Sequence, residues 1–387
     1  MNMSVRGLMI GSRRISRLLV VIGLFWLVCS AASVAAAGSD LDILGQPELR
    51  RTAISGPEST PTPTSVPRPL VPGIHPKPEA ITSDGCCAYP DWSEDSEWIL
   101  FFDAPKGPES AGLYGIPRAG GPATRITQRM GVFSSDWSLV AYPEAERVFV
   151  ERWQDGERWT IPSAGRAIHV SPSSKWLAWQ IGSSAIQNPD VRVSAIWISG
   201  LKGEDARELV TIHGGDLIGW SENEAALLVS GRLAPNGPAG IWRIRIEDGA
   251  GQLLFDVDQP REALLSTDGS WLAFIIAFET PSERNGVWLL RTDGGGAKHL
   301  DLFGSYRWRS GDQLVLVPLD LSASGPYLVQ YDAQRDQWWS LTTPMTTQLP
   351  IANNDWRISP DGQWMVFQSY LDHNLYVMEL PAVREAP

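Results

Sequence analysis

A motif that occurs seven times along the chain is the feature that most constrains its fold. Most copies open with a Trp-Ser or Ser-Pro pair, and each continues with polar residues that often include Asp-Gly and ends in a short hydrophobic run. The clearest copies are residues 359–367 (SPDGQWMVF) and 266–274 (STDGSWLAF). The copies start at positions 93, 134, 171, 221, 266, 309 and 359, so they are 37 to 50 residues apart. A repeat of this length is one supersecondary unit that buries its apolar side by stacking on its neighbours.

Each repeat has the pattern of β-strands. A second short hydrophobic run, such as residues 196–198 or 287–290, follows about 20 residues after the motif, and a last short strand such as 124–127 (TRIT) comes after a turn. These runs are β-branched or aromatic and are bounded by Gly, Pro, Asp and Ser, whereas stretches of 10–15 residues with helical period are missing. The pattern therefore indicates four strands per repeat.

Seven such units predict an all-β fold, a seven-bladed β-propeller with four-stranded antiparallel blades. Because the second copy is short, six blades plus an irregular segment is the alternative. The seventh copy ends at Leu380 without a fourth strand, and residues 79–82 (EAIT) match the fourth-strand pattern of 124–127. We expect this N-terminal strand to complete the last blade and close the ring, which hides strand edges.

The motif resembles the WD-like repeat of TolB and of the propeller domains attached to prolyl-oligopeptidase-type peptidases. The resemblance covers residues 78–380 and implies a propeller. It does not imply a single role, because propellers of this kind serve many functions. The α/β-hydrolase segment of those peptidases has no counterpart after the repeats.

The layout that the seven copies share gives their residues structural roles. Asp or Ser caps the turn between the first two strands, Gly takes a positive backbone angle there, and the Trp that opens the second strand packs between blades, where it buries about 200 Å². This explains the 18 Trp without a ligand. The predicted structural repeat positions are Trp92, Ser93, Trp98, Ser171, Trp176, Trp220, Ser221, Ser266, Trp271, Trp308, Ser359, Asp361 and Trp364.

The N-terminus has the layout of an export signal. Four arginines precede Leu18, residues 18–37 are all apolar or small, and the run ends in three alanines at 35–37. We expect residues 1–37 to be a signal peptide that is cleaved after Ala37. The alternatives are an uncleaved membrane anchor, a lipoprotein signal at Cys29 and a twin-arginine signal at Arg13 and Arg14.

Residues 38–77 form a second region before the propeller at 78–382. The stretch 55–78 carries eight prolines among Ser and Thr, which favours extended polyproline geometry. We interpret this region as a semi-rigid tether, and a disordered leader is the alternative.

The adjacent pair Cys86 and Cys87 is the one unusual chemical feature. In an oxidising compartment the two can form a strained ring disulfide, which we expect. The alternatives are two reduced thiols and an intermolecular bond. The third cysteine, Cys29, lies in the apolar N-terminal run, so no Cys-x-x-Cys zinc site exists.

A search for catalytic and ligand-binding patterns gives no match. The sequence lacks a Gly-x-Ser-x-Gly elbow, a phosphate-binding loop, a dinucleotide fingerprint and a His-Glu-x-x-His motif. The histidines occupy different offsets in different repeats, with His169 and His213 as the two that could face the central channel. We expect no catalytic residues, no metal and no cofactor, and we therefore predict that the protein is not an enzyme.

These observations lead to a binding function outside the cytoplasm. The long inserts 182–192, 233–239, 278–285 and 319–326 fall between the second and third strands of their blades, which places them on one face. We predict a non-catalytic scaffold of the cell envelope, periplasmic, cell-surface or secreted, that binds a protein or peptide there. The alternative is a propeller enzyme that acts on a glycan or small ester through a His and carboxylate site at the channel mouth.

The charge of the chain limits its partners. A formal net charge of −12 argues against nucleic acid and against anionic lipid surfaces as partners. Contact with a membrane is expected only through the N-terminal segment, if that segment stays uncleaved. The sequence leaves the oligomeric state open.

Overall fold

The computed structural model describes residues 76–83, 85, 88–134, 137–144, 147–152, 155–161, 166–182 and 192–382. Within them the chain forms seven four-stranded sheets, and its helices are short 3-10 turns at Pro108–Ser110, Glu222–Glu224 and Ser282–Arg284. No helix in this part of the chain has the length and apolar character needed to cross a membrane. The prediction of an all-β, seven-bladed propeller is confirmed. The predicted signal peptide, most of the tether, Cys86 and Cys87 lie outside the described residues.

The strands follow one another in chain order, four to a blade, after the single strand β1 (Glu79–Ala80). Blade 1 contains β2 (Ala88–Trp92), β3 (Trp98–Asp103), β4 (Gly112–Pro117) and β5 (Thr124–Thr127). Blade 2 contains β6 (Val132–Phe133), β7 (Leu139–Glu144), β8 (Arg147–Arg152) and β9 (Arg158–Ile161). Blade 3 contains β10 (Arg166–Val170), β11 (Trp176–Gly182), β12 (Val193–Gly200) and β13 (Arg207–His213).

The remaining four blades repeat this arrangement. Blade 4 contains β14 (Leu217–Trp220), β15 (Ala226–Gly231), β16 (Gly240–Arg245) and β17 (Gly251–Asp256). Blade 5 contains β18 (Arg261–Leu265), β19 (Trp271–Ile276), β20 (Gly286–Arg291) and β21 (Ala297–Leu300). Blade 6 contains β22 (Gly304–Trp308), β23 (Gln313–Pro318), β24 (Val329–Asp332) and β25 (Gln337–Ser340). Blade 7 contains β26 (Ile351–Ile358), β27 (Trp364–Ser369) and β28 (Leu375–Glu379).

The first strand of each blade lies next to the first strands of its neighbours. Contacts of this kind join β2 to β26, β22 to β26, and β10 to both β6 and β14. Each sheet then continues outward in chain order, so that the fourth strand is the outermost. The first strands therefore line the axis of the ring.

Blade 7 is completed from the other end of the chain. β1 pairs antiparallel with β28, with Glu79 opposite Val377 and Ala80 opposite Tyr376, and the Ile81 N–H donates to the Leu375 carbonyl at 2.9 Å. This confirms the predicted closure of the ring by an N-terminal strand. Blade 2, the short copy, has all four strands, so the six-blade alternative is wrong.

The turn between the first and second strands is held by its serine and aspartate. The Ser359 hydroxyl accepts a hydrogen bond from the Trp364 N–H at 2.9 Å, and the Asp361 carboxylate accepts from the Gln363 N–H at 2.9 Å. Gly362 has a φ of +70°, which a side chain would strain. The same hydroxyl-to-amide bond joins Ser93 to Trp98, Ser134 to Leu139, Ser171 to Trp176 and Ser266 to Trp271.

The core lies between neighbouring blades. At the closing junction, Phe101 and Ile116 of blade 1 pack with Val366 and Val377 of blade 7 in one buried cluster. Burial of apolar side chains stabilises this junction, as it does the others, at about 25 cal/mol for each Å² removed from water. The closing blade is therefore held by packing as well as by strand pairing.

Indole N–H groups also link blades. Trp308 donates to the Leu264 carbonyl at 2.9 Å and Trp220 to the His169 carbonyl at 3.3 Å, and Trp92 makes the equivalent, longer contact with Arg357 at 3.5 Å. In each pair the tryptophan ends the first strand of one blade and the acceptor lies on the first strand of the preceding blade. The ring therefore repeats one inter-blade contact at three of its junctions.

Candidate functional site

One face of the ring carries two kinds of loop. Because adjacent strands run antiparallel, the loop from the second to the third strand of a blade ends at the same face as the loop that leads into the next blade. Backbone hydrogen bonds join the two kinds: Leu319 N–H to the Phe303 carbonyl at 2.7 Å and Tyr370 N–H to the Pro350 carbonyl at 2.8 Å. We call this the loop face.

The long inserts singled out in the sequence lie on the loop face where the structure describes them. Residues 233–239 connect β15 to β16, residues 278–285 connect β19 to β20, and residues 319–326 connect β23 to β24. Most of the fourth insert, 182–192, lies outside the described residues.

Exposed apolar side chains are concentrated in the loop-face loops of blades 5, 6 and 7. Among the described large hydrophobic residues, six keep more than half of their surface exposed, and Leu321 reaches 93%. All six belong to loops on this face. They are Phe278, Leu319, Leu321, Met345, Tyr370 and Leu371. We call these six side chains the apolar loop surface. Concentrated exposed apolar groups on a soluble domain are typical of an interaction site.

The blade 5 loop is held by polar contacts within itself. The Asn285 side chain accepts from the Glu279 N–H at 3.0 Å and donates to the Glu279 carbonyl at 3.1 Å. The Trp288 indole donates to the Arg284 carbonyl at 2.7 Å. These bonds fix the base of the loop, and Phe278 projects from it with the Arg261 guanidinium 5.5 Å from its ring centre.

Carboxylates fix the loops of blades 6 and 7 in a similar way. Asp320 accepts from the Ser322 N–H at 2.9 Å and from the Tyr327 hydroxyl at 3.1 Å, and the hydrogen bonds from Ser322 hold the pKa of Asp320 below its usual range. Asp372 accepts from the Tyr376 hydroxyl at 2.8 Å. Desolvation opposes ionisation of Asp372, but hydrogen bonds, led by those from Asn374, lower its pKa to about 2.

The apolar loop surface is the feature that sequence reasoning missed. The inserts are recognisable by their length and by their Ser, Pro, Gly and Asn content, and neither property identifies the apolar residues within them. Leu319 and Leu321 were a usable signal, because they lie in a segment without strand periodicity that continues through Ser322, Ala323, Ser324 and Gly325. Two leucines in such a segment have no adjacent strand face on which to be buried.

The predicted repeat positions differ in their burial. Trp92, Trp220, Trp271 and Trp308 are buried, whereas Trp98 and Trp176 are 41% and 37% exposed. Trp364 is half-buried, with the Arg118 guanidinium 4.5 Å from its ring centre.

The histidines occupy separate places. His169 lies on β10, the first strand of blade 3, and therefore beside the channel. His213 ends β13, the outermost strand of that blade, so it does not face the channel. The prediction that it could do so is wrong. His299 stacks on Trp288 with ring centres 4.6 Å apart and hydrogen-bonds the Asn285 carbonyl at 3.0 Å. A search of the described residues finds no group of three or more His, Cys, Asp or Glu side chains placed to hold a metal ion.

Comparison with known proteins gives similarities of fold. No protein-family model matches the chain, and no curated protein matches it. Among solved structures, an oligogalacturonate lyase in complex with manganese has a TM-score of 0.59 at 13% identity, over 78% of this chain and 92% of that chain. An acylaminoacyl peptidase from Pyrococcus horikoshii has a TM-score of 0.53 at 12% identity, over 77% of this chain and 52% of that chain. TolB from Acinetobacter baumannii has a TM-score of 0.41 at 16% identity, over 67% of this chain and 64% of that chain. At the level of the fold, the structures with TM-scores above 0.5 confirm the predicted resemblance to β-propellers such as those of the peptidases.

The prediction that the protein is not an enzyme is contradicted by the first of these structures, a lyase with the same propeller fold. That prediction rested on the lack of contiguous catalytic motifs. In a propeller, a site at the axis is assembled from side chains of several blades that are tens of residues apart in sequence. The lack of a short motif therefore excludes nothing in this fold.

Proposed function

We propose that the protein is exported from the cytoplasm and binds a protein or peptide partner through the apolar loop surface. One observation carries the proposal: all six described large hydrophobic side chains that are more than half exposed lie in loops of one face. Leaving such side chains in water gives the folded monomer little stability, whereas a partner that covers them gains the full free energy of their transfer. The N-terminal signal layout supports export.

The charges beside the apolar loop surface favour a protein over a lipid surface. Glu279, Glu283, Asp320 and Asp372 lie in the same loops, where they outnumber Arg284, which pairs with Glu279 at 3.5 Å. Carboxylates at these positions repel the anionic headgroups of a bilayer. We therefore expect a partner segment that presents apolar side chains and is not strongly acidic. The proposal concerns binding, and it is compatible with catalysis elsewhere in the ring.

Site-specific photo-crosslinking tests the proposal. A photoreactive side chain at position 321 should yield a discrete cross-linked partner in the cell envelope. The matched control is position 126 on the outermost strand of blade 1, where Ile126 is also exposed, at 48%. No cross-link should form there. The partner is then identified by mass spectrometry and its affinity measured with purified components.

Substitution measures the contribution of the loops. The double variant Phe278→Ser and Leu321→Ser should bind the identified partner at least about tenfold more weakly, because loss of interface anchors costs more than 1 kcal/mol. Its thermal unfolding should be unchanged, since both side chains are exposed. Ile126→Ser should bind like the unchanged protein. Equal cross-linking at 321 and 126, or an unchanged affinity of the double variant, would contradict the proposal.

A further inference from the structure

Seven structurally equivalent residues, one from each blade, surround the channel. The last residue of each first strand pairs with the second strand at the same step of the register, as in Trp92 with Ile99, Trp308 with Leu314 and Ile358 with Met365. The residue before it therefore occupies the same level in every blade. Going around from blade 1, these residues are Asp91, Val132, His169, Gly219, Leu264, Arg307 and Arg357. We call them the channel layer.

The inter-blade contacts support this common level. The indoles of Trp92, Trp220 and Trp308 reach the carbonyls of Arg357, His169 and Leu264 respectively, each a member of the channel layer in the preceding blade. Neighbouring blades are thus aligned at this height at three junctions.

The channel layer has a charged arc flanked by two apolar residues. Arg307, Arg357 and Asp91 come from the consecutive blades 6, 7 and 1. Leu264 of blade 5 and Val132 of blade 2 lie on either side of this arc, and His169 and Gly219 of blades 3 and 4 lie opposite it. A concave site with an apolar wall and a few convergent polar groups is the usual form of a small-ligand site.

The two arginines differ in how many of their donors are used. Arg307 donates from Nε to the Trp356 carbonyl at 2.9 Å, from Nη1 to the Tyr306 carbonyl at 2.6 Å and from Nη2 to the Asn354 carbonyl at 3.0 Å. Within the described residues, Arg357 makes one hydrogen bond, from Nη1 to the Trp356 carbonyl at 2.9 Å. Arg307 therefore links blades 6 and 7, whereas most guanidinium donors of Arg357 have no partner in the described part of the chain.

The carboxylates near Arg357 are close enough to feel its charge but are not paired with it. Asp91 accepts from the Trp92 N–H at 2.9 Å, and Asp355 accepts from the Tyr89 N–H at 2.9 Å. None of the ion pairs in the described part of the chain, all at or below 4.0 Å, joins either carboxylate to Arg307 or Arg357. Burial raises the pKa of Asp91, and the attraction of Arg357 offsets this only in part.

His169 adds a neutral polar group to the same level. Burial lowers its pKa to about 4, so its ring is uncharged at neutral pH and offers one donor and one acceptor. A side chain at residue 219 would bring its Cβ within 3.7 Å of Nδ1 of His169 and within 2.9 Å of Leu265. Glycine at 219 therefore keeps space open beside the imidazole.

We propose that the channel layer binds a small hydroxylated monocarboxylate, with its carboxylate on Arg357 and its hydroxyl groups on Asp91 and His169. The planar guanidinium fork suits a carboxylate, which can accept two parallel hydrogen bonds from it. Asp91 accepts from hydroxyl groups, and Leu264 and Val132 contact the carbon skeleton. A dianion such as a phosphate monoester is disfavoured, because Asp91 and Asp355 lie beside the arginine and repel the second charge.

Three hexose derivatives of matched shape test this assignment on the purified protein by calorimetry. Glucuronate should bind, glucose should bind at least about tenfold more weakly for lack of the charge-assisted pair, and glucose 6-phosphate should be weaker than glucuronate. Arg357→Gln should lower the affinity for glucuronate at least about tenfold and leave that for glucose unchanged. The matched control is Arg245→Gln, an exposed arginine on β16 that pairs with Asp248, and it should change neither affinity.

A second variant keeps the assignment testable if Arg357→Gln fails to fold. Leu264→Phe adds bulk to the channel layer two blades from Arg357 and should abolish glucuronate binding in a protein whose thermal unfolding shows that it is folded. Three results would overturn the proposal: equal affinities for glucuronate and glucose, no binding of glucuronate at about 10 mM, or unchanged binding in folded Arg357→Gln.

Discussion

At the residue scale, polar side chains hold the loops in place while apolar side chains are exposed to water. Asp372 is an example of a polar side chain that holds a loop. Its carboxylate gathers hydrogen bonds from Asn374 and Tyr376, and these hold the loop that carries Tyr370 and Leu371. The apolar side chains beside it then protrude from a loop whose own polar groups are satisfied.

Asp372 predicts a dependence of stability on pH. Its pKa falls from 3.8 in the unfolded chain to about 2 in the folded protein. A lowered folded-state pKa means that the stabilisation is present above pH 3.8 and is lost as the pH falls towards 2. Asp372→Asn should therefore lose less stability between pH 4 and pH 2 than the unchanged protein, measured by urea unfolding at both values. If the two lose the same amount, the carboxylate does not hold the loop.

Turn chemistry was predictable at this scale because it is local. Ser359, Asp361 and Gly362 lie within four residues, and their hydrogen bonds and backbone angle follow from that short stretch alone. The burial of the tryptophans was harder to predict. Trp92 and Trp98 flank one turn, yet only Trp92 is buried, because the neighbouring blade covers the end of the first strand.

At the element scale, the two-residue strand β1 closes the ring. Its two residues supply the outermost strand of blade 7 and join the two ends of the repeat region. The pattern of 79–82 (EAIT) was visible in the sequence because it repeats that of β5. The loops between strands carry no such repeat. The exposure of their apolar side chains could therefore not be predicted by comparing one blade with another.

Two truncations test the contribution of β1. A chain that starts after Asp84 lacks β1 and leaves β28 unpaired, so its melting temperature should fall sharply. A chain that starts after Gly73 keeps β1 and should melt like the longer protein, because Pro76, whose carbonyl accepts from Thr347 at 3.0 Å, is also retained. Equal melting of the two chains would show that strand pairing in blade 7 does not need β1.

At the scale of the whole molecule, the ring brings together residues that the sequence keeps apart. Asp91, His169 and Arg357 lie at one level of the ring although more than 250 residues separate the first from the last. The repeat predicted seven blades and their order. It could not show which positions face the channel, because bulges shift the register of β2, β10 and β26 before the channel layer is reached.

Export of the whole chain is a further prediction. N-terminal sequencing of the protein from the extracytoplasmic fraction of a bacterial expression host should begin at Gly38. Ala37→Phe should block cleavage, since signal peptidase requires a small residue there, whereas Ala36→Phe should still be processed. A mature protein that retains residues 18–37 would instead support the uncleaved anchor.

Closure by β1 has a consequence for biosynthesis. The Thr82 hydroxyl accepts from the Leu375 N–H across 293 residues of chain, so one side of this seam is made near the start of translation and the other near the end. During that interval β1 has no strand to pair with, and closing a loop of this length is entropically costly and slow. A premature stop codon between β27 and Leu375 would therefore leave an open ring with unpaired strand edges.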